Sequence, residues 1–382
     1  MNDGGRMKVM TIVGTRPEII RLAPTIKALD QVANHVLVHT GQNYDYELNE
    51  IFFRDLNLRA PDHFLGADTS SVAAVLGSVL VETEKVLLSE KPDALVILGD
   101  TNSSIAALIS KRMKIPVFHM EAGNRSFDEN VPEEINRRLV DHVSDYNLVY
   151  TEHARRNLLA EGIHPSRILL TGSPMREVLD GSRDAIAASD VLEREALTEG
   201  GYFMVSLHRE ENVDSAERLS MVLVALNELR GIYDIPILIS THPRTRKRLE
   251  AQPDHLKSGL RWSLPFGFND YIALQASAKL VLSDSGTISE EAALLGFPAV
   301  TLRDAIERPE AIETGGIVTA GVTTESIVDS VRIVLHQFAQ FGAPVAPPEY
   351  LISDSSRRVV NFIRSTVGTH HERAGIRRAT DS

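Results

Sequence analysis

Between His119 and Arg138 the chain packs five carboxylates (Glu121, Asp128, Glu129, Glu133 and Glu134) and three arginines (Arg125, Arg137 and Arg138) beside a histidine. Acids and bases this dense, directly after an apolar strand, suit proton transfer or the stabilisation of a cationic centre. They equally suit a solvated loop whose Glu133–Arg137 and Glu134–Arg138 pairs support the next helix. That helix is predicted to start at Pro132, because a first helical position has no use for the missing N–H. Glu133 and Glu134 then fall in the first turn, where the helix dipole favours carboxylates. Ile135, Leu139 and Val143 follow at four-residue spacing, which predicts a core-facing stripe.

Four more polar clusters follow apolar runs. Gly14-Thr15-Arg16-Pro17-Glu18 is a strand-to-helix turn in which Arg16 can grip an anion, with Arg21 one turn further on. Ser206-Leu207-His208-Arg209-Glu210-Glu211-Asn212 puts a histidine and an arginine at another strand end. In Asp284-Ser285-Gly286-Thr287-Ile288-Ser289-Glu290-Glu291 small residues open a helix, where exposed backbone N–H groups and the dipole suit a phosphate. Glu291, further along that helix, is placed for a ribose diol; the other reading of the segment is a helix cap from Asp284 or Ser285. Arg303-Asp304 with Glu307-Arg308-Pro309-Glu310 is the fourth cluster. Phe266, Phe268 and Tyr271 either line a base pocket or belong to the core, and His370-His371 is read as incidental rather than metal-binding. The chain has no Gly-x-Gly-x-x-Gly after a strand, no phosphate-loop sequence with Lys-Ser/Thr and no His-Glu-x-x-His, which argues against a dehydrogenase, a P-loop nucleotidase and a zinc protease.

The elements that must hold these clusters alternate. Apolar strands at Met7–Val13, Val36–Thr40, Ala94–Leu98, Pro116–Met120, Tyr146–Tyr150 and Arg167–Leu170 are interleaved with helices, including a long one near 70–90 and another over 102–113. A second series has strands at Tyr202–Leu207, Pro236–Ser240, Lys279–Ser283 and Pro298–Leu302, with helices near 215–230, 269–277, 286–295 and 323–340. Such alternation means α/β: two doubly wound parallel sheets covered on both faces. Leu98-Gly99-Asp100-Thr101-Asn102-Ser103 and Leu282-Ser283-Asp284-Ser285-Gly286-Thr287 are alike, each followed by a helix and an X-Pro strand, so the halves resemble each other. The expected division is a first domain over 1–180, a polar helical stretch near 183–199, a second domain over 181–352, and a disordered tail from 367 to 382. At 382 residues there is material for two such cores. The net charge of −12 argues against a binder of nucleic-acid backbone. The lack of any Cys removes disulfides, thiolate nucleophiles and Cys-ligated metals, and with no membrane-length apolar run a cytoplasmic protein is expected.

Together Gly14-Thr15-Arg16-Pro17-Glu18, Gly99-Asp100-Thr101, His119-Met120-Glu121-Ala122-Gly123, Pro132 to Arg137, His208 to Asn212, Asp284-Ser285-Gly286 with Glu290-Glu291, and Glu307 to Glu310 resemble the bacterial non-hydrolysing UDP-N-acetylglucosamine 2-epimerase family. The matches run in order over about 7–365. The resemblance implies two Rossmann-like domains facing across a cleft, of the glycosyltransferase-B type, with a C-terminal helix over 353–366 crossing back to the first. It implies a UDP-linked N-acetyl amino sugar as ligand, a homodimer, and no metal or nicotinamide. Asp100, Glu121, Glu133 and His208 take catalytic roles in it. Arg16, His208, Ser285 and Gly286 become phosphate contacts, Glu291 a ribose contact and Tyr271 a uracil-stacking ring. Arg21, Arg125, Arg209, Thr287 and Arg308 complete the expected ligand set.

The family pattern is not matched everywhere. Where members acting on UDP-N-acetylglucosamine carry Gln-His-Arg, in a region their allosteric activator contacts, this chain has Gly41-Gln42-Asn43-Tyr44-Asp45; Arg21 replaces a usual lysine. His119 to Asp128, Ser240 to Arg246 and Pro265 to Tyr271 look closer to the subgroup that makes UDP-N-acetyl-L-fucosamine from UDP-2-acetamido-2,6-dideoxy-L-talose for capsule or O-antigen. UDP-N-acetylglucosamine is the alternative substrate. A glycosyltransferase would share the fold and the UDP clamp without the carboxylate cluster, and a non-catalytic UDP-sugar sensor would need the clamp alone.

Overall fold

The computed structural model describes residues 6–42, 46–241, 243–304 and 307–376. Two compact units emerge: Met1–Asp180 with Leu351–Ser382, and Gly181–Tyr350. In the first unit the order is β1 (Lys8–Val13), α1 (Arg16–Val32), β2 (Asn34–His39), α2 (Tyr46–Asp55), β3 (His63–Phe64), α3 (Val72–Glu90), β4 (Ala94–Leu98), α4 (Ala106–Arg112), β5 (Val117–Met120), α5 (Pro132–Val143), β6 (Tyr146–Val149), α6 (Glu152–Ala160) and β7 (Ile168–Leu170). The seven strands form one sheet in the order β3-β2-β1-β4-β5-β6-β7, every pair parallel. Right-handed crossovers therefore put α1 on one face and α3, α4 and α5 on the other. Strand β4, Ala-Leu-Val-Ile-Leu, is buried at every position, as a central strand covered on both faces must be.

Helix α7 (Met175–Ala187) spans the division, and α8 (Val191–Arg194) follows. The second unit then runs β8 (Phe203–Leu207), α9 (Glu210–Val213), α10 (Ala216–Tyr233), β9 (Ile237–Thr241), α11 (Pro243–Leu249), α12 (Asp254–Lys257), β10 (Arg261–Ser263), α13 (Phe268–Ser277), β11 (Leu280–Ser283), α14 (Ile288–Leu295), β12 (Ala299–Thr301), α15 (Pro309–Glu313), β13 (Val318–Thr319) and α16 (Thr324–Phe341). Its six parallel strands are ordered β10-β9-β8-β11-β12-β13. Side chains alternate across β8. Phe203, Val205 and Leu207 join the core made with α10 and α16, while Met204 points to the opposite core with α13 and α14.

Several expectations change here. Strands β3, β10 and β13 have two or three residues each, too few to show a period. The polar helix expected near 183–199 is α7, which starts at Met175, and the short α8. The helix expected over 102–113 opens as a 3₁₀ turn, Asn102–Ile105. On α5 the assignment of faces is reversed: Ile135 is 66 % exposed and Leu139 40 %, whereas Glu134, Arg137, Val140 and Asp141 are buried. Charge pairing has overridden the apolar stripe, because its carboxylates and arginine meet partners on the buried side. Helix α17 (Ser355–Thr366) packs on α1, and the expected disordered tail instead begins as a 3₁₀ turn (Val367–Thr369) and α18 (His370–Arg373). His370 is buried against Tyr146, so it is a packing residue. Residues 377–382, and Asn43 to Asp45 of the departing segment, lie outside the described residues. Among the described residues no helix is long and apolar enough to cross a membrane.

At the end of β2 the His39 ring stacks on Phe64, centroids 5.2 Å apart, and its Nδ1 accepts a hydrogen bond from Gly41 N at 3.0 Å. Burial pushes its imidazole down to about 4 from 6.5. The unfolded chain therefore takes up this proton first, and the fold loses stability as pH falls from 6.5 towards 4. The contribution is on the order of 3 kcal/mol. His39→Gln, which keeps an acceptor for Gly41, should flatten the fall in melting temperature between pH 7 and pH 4. Parallel melting curves for the two proteins would show that His39 is not its source.

Candidate active site

In the first unit the strand order reverses between β1 and β4, so the loops after these strands flank the switch point where ligands of such sheets bind. The loop after β1 begins α1 with a capping box: Glu18 accepts from Gly14 N at 3.0 Å, Thr15 N at 2.7 Å and Thr15 Oγ1 at 2.8 Å. Burial pushes the Glu18 carboxyl up to about 7 against those hydrogen bonds. Arg16, at the first position of α1, lies over the Phe52 ring with its guanidinium carbon 5.8 Å from the centroid. The loop after β4 carries Asp100. Its carboxylate accepts from Arg137 Nε at 3.0 Å, and its carbonyl accepts from Asn136 Nδ2 at 2.9 Å.

Glu121, directly after β5, lies in the left-handed region, with φ of 62°. A residue with a Cβ holds that backbone only where the surroundings over-determine it, and such positions gather at functional sites. Arg21 from α1 pairs with its carboxylate, and Asn124 Nδ2 donates to it at 3.3 Å. Gly99, with φ of 69°, stands close by: a Cβ there would lie 3.8 Å from Glu121 Oε2. Asp100 and Glu121 thus share one corner, each half-buried and each paired with an arginine from a different helix. Glu133 is half-buried in the first turn of α5, while its neighbour Glu134 is spent on Arg137, Arg138 and Ser126.

Arg125 is a correction. It was expected to touch the ligand, but its side chain is 0 % exposed. Nε and Nη2 grip Glu161 at 2.7 and 2.6 Å, and Nη1 donates to Asp141 and to Asn124 O, both at 2.7 Å. A guanidinium with all its directions occupied and no access to solvent holds the loop together. Asp141 also accepts from Gly123 N and faces His119, whose Nε2 sits 2.7 Å from Gly99 O. Although burial raises the Asp141 carboxyl, His119 and Arg125 hold it below its ordinary value. Breaking such a pair by removing one partner costs about 3–5 kcal/mol. Arg125→Met should therefore lower the melting temperature sharply, and the folded fraction should still bind UDP as the parent does. An unchanged melting temperature with weakened UDP binding would return Arg125 to the ligand set.

The second unit has its switch point between β8 and β11. Asp284, fully buried, accepts there from the backbone N–H of His208 at 3.1 Å, that of Arg209 at 3.0 Å and Asn212 Nδ2 at 3.2 Å. The same carboxylate lies 3.1 Å from His208 Nδ1, and the His208 side chain is 40 % exposed. That carboxylate fixes the orientation of the imidazole through Nδ1. Ser285, Gly286 and Thr287 make the turn before α14: Ser285 Oγ and Thr287 Oγ1 are 2.8 Å apart, and a Cβ on Gly286 would lie 3.7 Å from Arg209 Nη2. Glu291 is buried and accepts from Gln275 Nε2 at 2.8 Å. The Tyr271 hydroxyl lies against Ser206 and Ser283, and burial raises it above its ordinary value. Arg308 is the second correction: expected in the ligand set, it is 3 % exposed. Its Nε donates to Gly286 O at 3.0 Å and its Nη2 lies 3.2 Å from Glu290, so it reaches a ligand only through the shape of the Gly286 turn. Among the described residues no cluster of His, Asp and Glu is placed to hold a metal ion.

Residue reasoning missed Glu18, Ser103, Arg137 and Asp284 as site components. The repeated Asp after β4 and β11 was a usable signal for the last; nothing in the sequence says that Arg137 rather than Arg138 turns inward.

The profile of the UDP-N-acetylglucosamine 2-epimerase family matches residues 27–364. The chain belongs to this family. A UDP-N-acetylglucosamine 2-epimerase from Rickettsia bellii has a structure that superposes with a TM-score of 0.90 at 43 % identity, covering 96 % of this chain and 98 % of that one. A UDP-GlcNAc 2-epimerase from Methanocaldococcus jannaschii, solved in complex with UDP-GlcNAc and UDP, gives a TM-score of 0.87 at 39 % identity over 94 % and 100 % of the chains. A UDP-2,3-diacetamido-2,3-dideoxy-D-glucuronate 2-epimerase from Pseudomonas aeruginosa is 37 % identical over 87 % of this chain and 94 % of its own. The protein is thus a non-hydrolysing isomerase built of two Rossmann-like domains.

Proposed function

We propose that the protein inverts C2 of a UDP-linked 2-acetamido sugar by eliminating UDP and adding it back. The observation that carries this reading is the paired set of half-buried carboxylates, Asp100 and Glu121, at one switch point, with an anchored histidine and a small-residue helix turn at the other. The hydrogen on C2 of such a sugar is not acidic, since no carbonyl adjoins it. Breaking the C1–oxygen bond first puts positive charge at C1, which acidifies C2. The C2 proton passes to a base and leaves a glycal with UDP. Protonation of C2 from the opposite face and return of the UDP oxygen to C1 complete the inversion, with no net proton, water or electron consumed. Carboxylates stabilise the developing cation, and acid and base groups serve the two faces. Asp100, Glu121 and Glu133 supply the acids. His208, Arg16, Arg209, Ser285, Gly286 and Thr287 hold the departing diphosphate, Glu291 the ribose and Tyr271 the uracil. Holding the intermediates through both steps raises their effective concentration.

Relatives named for UDP-N-acetylglucosamine favour that sugar and its C2 epimer as the substrate pair. The segments His119–Asp128 and Pro265–Tyr271 favour UDP-2-acetamido-2,6-dideoxy-L-talose, with a role in capsule or O-antigen synthesis. A homodimer in the cytoplasm is part of the proposal. The exposed Val72, Val81 and Leu88 of α3 with Ile135 and Leu139 of α5 supply apolar area on one face of the first sheet. Incubation with each UDP-sugar in deuterated water, followed by proton NMR, should show deuterium entering C2 together with the epimer. No deuterium and no epimer with any of the sugars would defeat the reading. Glu121→Gln should keep UDP affinity while turnover falls by at least about 10²-fold; unchanged turnover would remove Glu121 from the chemistry.

A further inference from the structure

At the switch point of the first unit, the turn after β1 and the turn after β4 lead to helices on opposite faces of the sheet. Beyond the strand ends the two backbones share no ladder. One side chain nevertheless reaches both. Glu18 is 1 % exposed; its Oε2 accepts from Gly14 N, Thr15 N and Thr15 Oγ1, and its Oε1 accepts from Ser103 Oγ. Ser103 Oγ lies 2.6 Å from Thr101 Oγ1, to which Gln42 Nε2, three residues beyond β2, donates at 3.4 Å. Ser104 Oγ closes the same turn on Thr101 O at 2.6 Å. A single buried carboxylate thus joins the turns after two strands, with Asp100 next to one of its arms and Arg16 next to the other.

We propose that Glu18 is a positioning residue that clamps the Asp100–Ser104 turn to the Gly14–Arg16 turn and so fixes Asp100 relative to Arg16 and Arg21. At 1 % exposure it meets no ligand, so it acts only through the groups it holds. The four donors that converge on it explain the residue type. A carboxylate is acceptor-only, while the amide of glutamine must turn an NH₂ towards one of them. Aspartate is one methylene short of Ser103.

The consequence for turnover rests on the epimerase reading; the clamp itself does not. Ser103→Ala removes one arm and leaves the capping box of α1 intact. In amide hydrogen exchange it should speed exchange at Gly14 and Thr15 as well as in its own turn, because the clamp joins them. A change confined to residues 100–104 would overturn the proposal. In steady-state kinetics Ser103→Ala should lower kcat about tenfold with KM changed less than about twofold. Adding it to Glu18→Gln should lower kcat no further than Glu18→Gln alone, since both cut one connection. Effects on kcat that multiply would sink the clamp. Should the parent enzyme exchange C2 of no UDP-sugar, the epimerase reading fails and amide exchange alone decides the clamp.

Discussion

Where a doubly wound sheet reverses direction, its two central strands deliver their loops to opposite faces, and the backbone ladder that held the strands ends there. The groups a ligand meets there are carried on two loops that the strand ladder no longer joins. Side chains have to supply the connection, from a place water cannot reach. Both units of this protein meet the constraint with a buried carboxylate. In the first, Glu18 takes donors from Gly14, Thr15 and Ser103. In the second, Asp284 takes donors from His208, Arg209 and Asn212. An anion suits the task because strand-to-helix turns present N–H groups, and an acceptor-only side chain meets several at once.

The remaining charges follow from the need to bury no ion alone. Arg21 meets Glu121, Arg137 meets Asp100 and Glu134, Arg303 meets Glu307, and Arg308 meets Glu290. Such pairs add little net stability, since desolvation offsets most of the attraction, but losing one partner is expensive. Their value here is geometric. A carboxylate gripped by an arginine on a neighbouring helix keeps one orientation, so reacting groups are pre-placed. Glu121 adds its left-handed backbone to this, at a strand end overlooked by Gly99.

How much of this was legible varies with the physics involved. The two parallel sheets could be read because their central strands are unbroken apolar runs, and the polar clusters stood out because each follows such a run. The asymmetry of α5 could not. Ile135 and Leu139 form a good apolar stripe, yet they face out, because Glu134, Arg137 and Asp141 find partners from Ser126, Asp100 and Arg125, residues distant in sequence or in another loop. Arg125 and Arg308 read as ligand contacts for the same reason. Charge in a loop looks functional until its partners are known, and Glu161 lies 36 positions from Arg125. Edge strands of two or three residues carry no period to read.

The likeness of the two halves makes their difference instructive. Asp100 follows β4 just as Asp284 follows β11, but the two have parted in task. In the second unit Asp284 is itself the suture, fully buried, and the exposed group it orients is His208. In the first unit the suture has moved across the switch point to Glu18, on the helix after β1. Asp100 is thereby released from holding the loops. It sits half-buried with Arg137 as its partner, near Glu121 and Arg21. A carboxylate whose oxygens are already taken by three or four buried donors has no oxygen left to present to a ligand. Moving the structural duty to a second carboxylate is what allows the first unit to offer acids, while the second, with its carboxylate occupied, offers an anchored imidazole and a phosphate-sized turn.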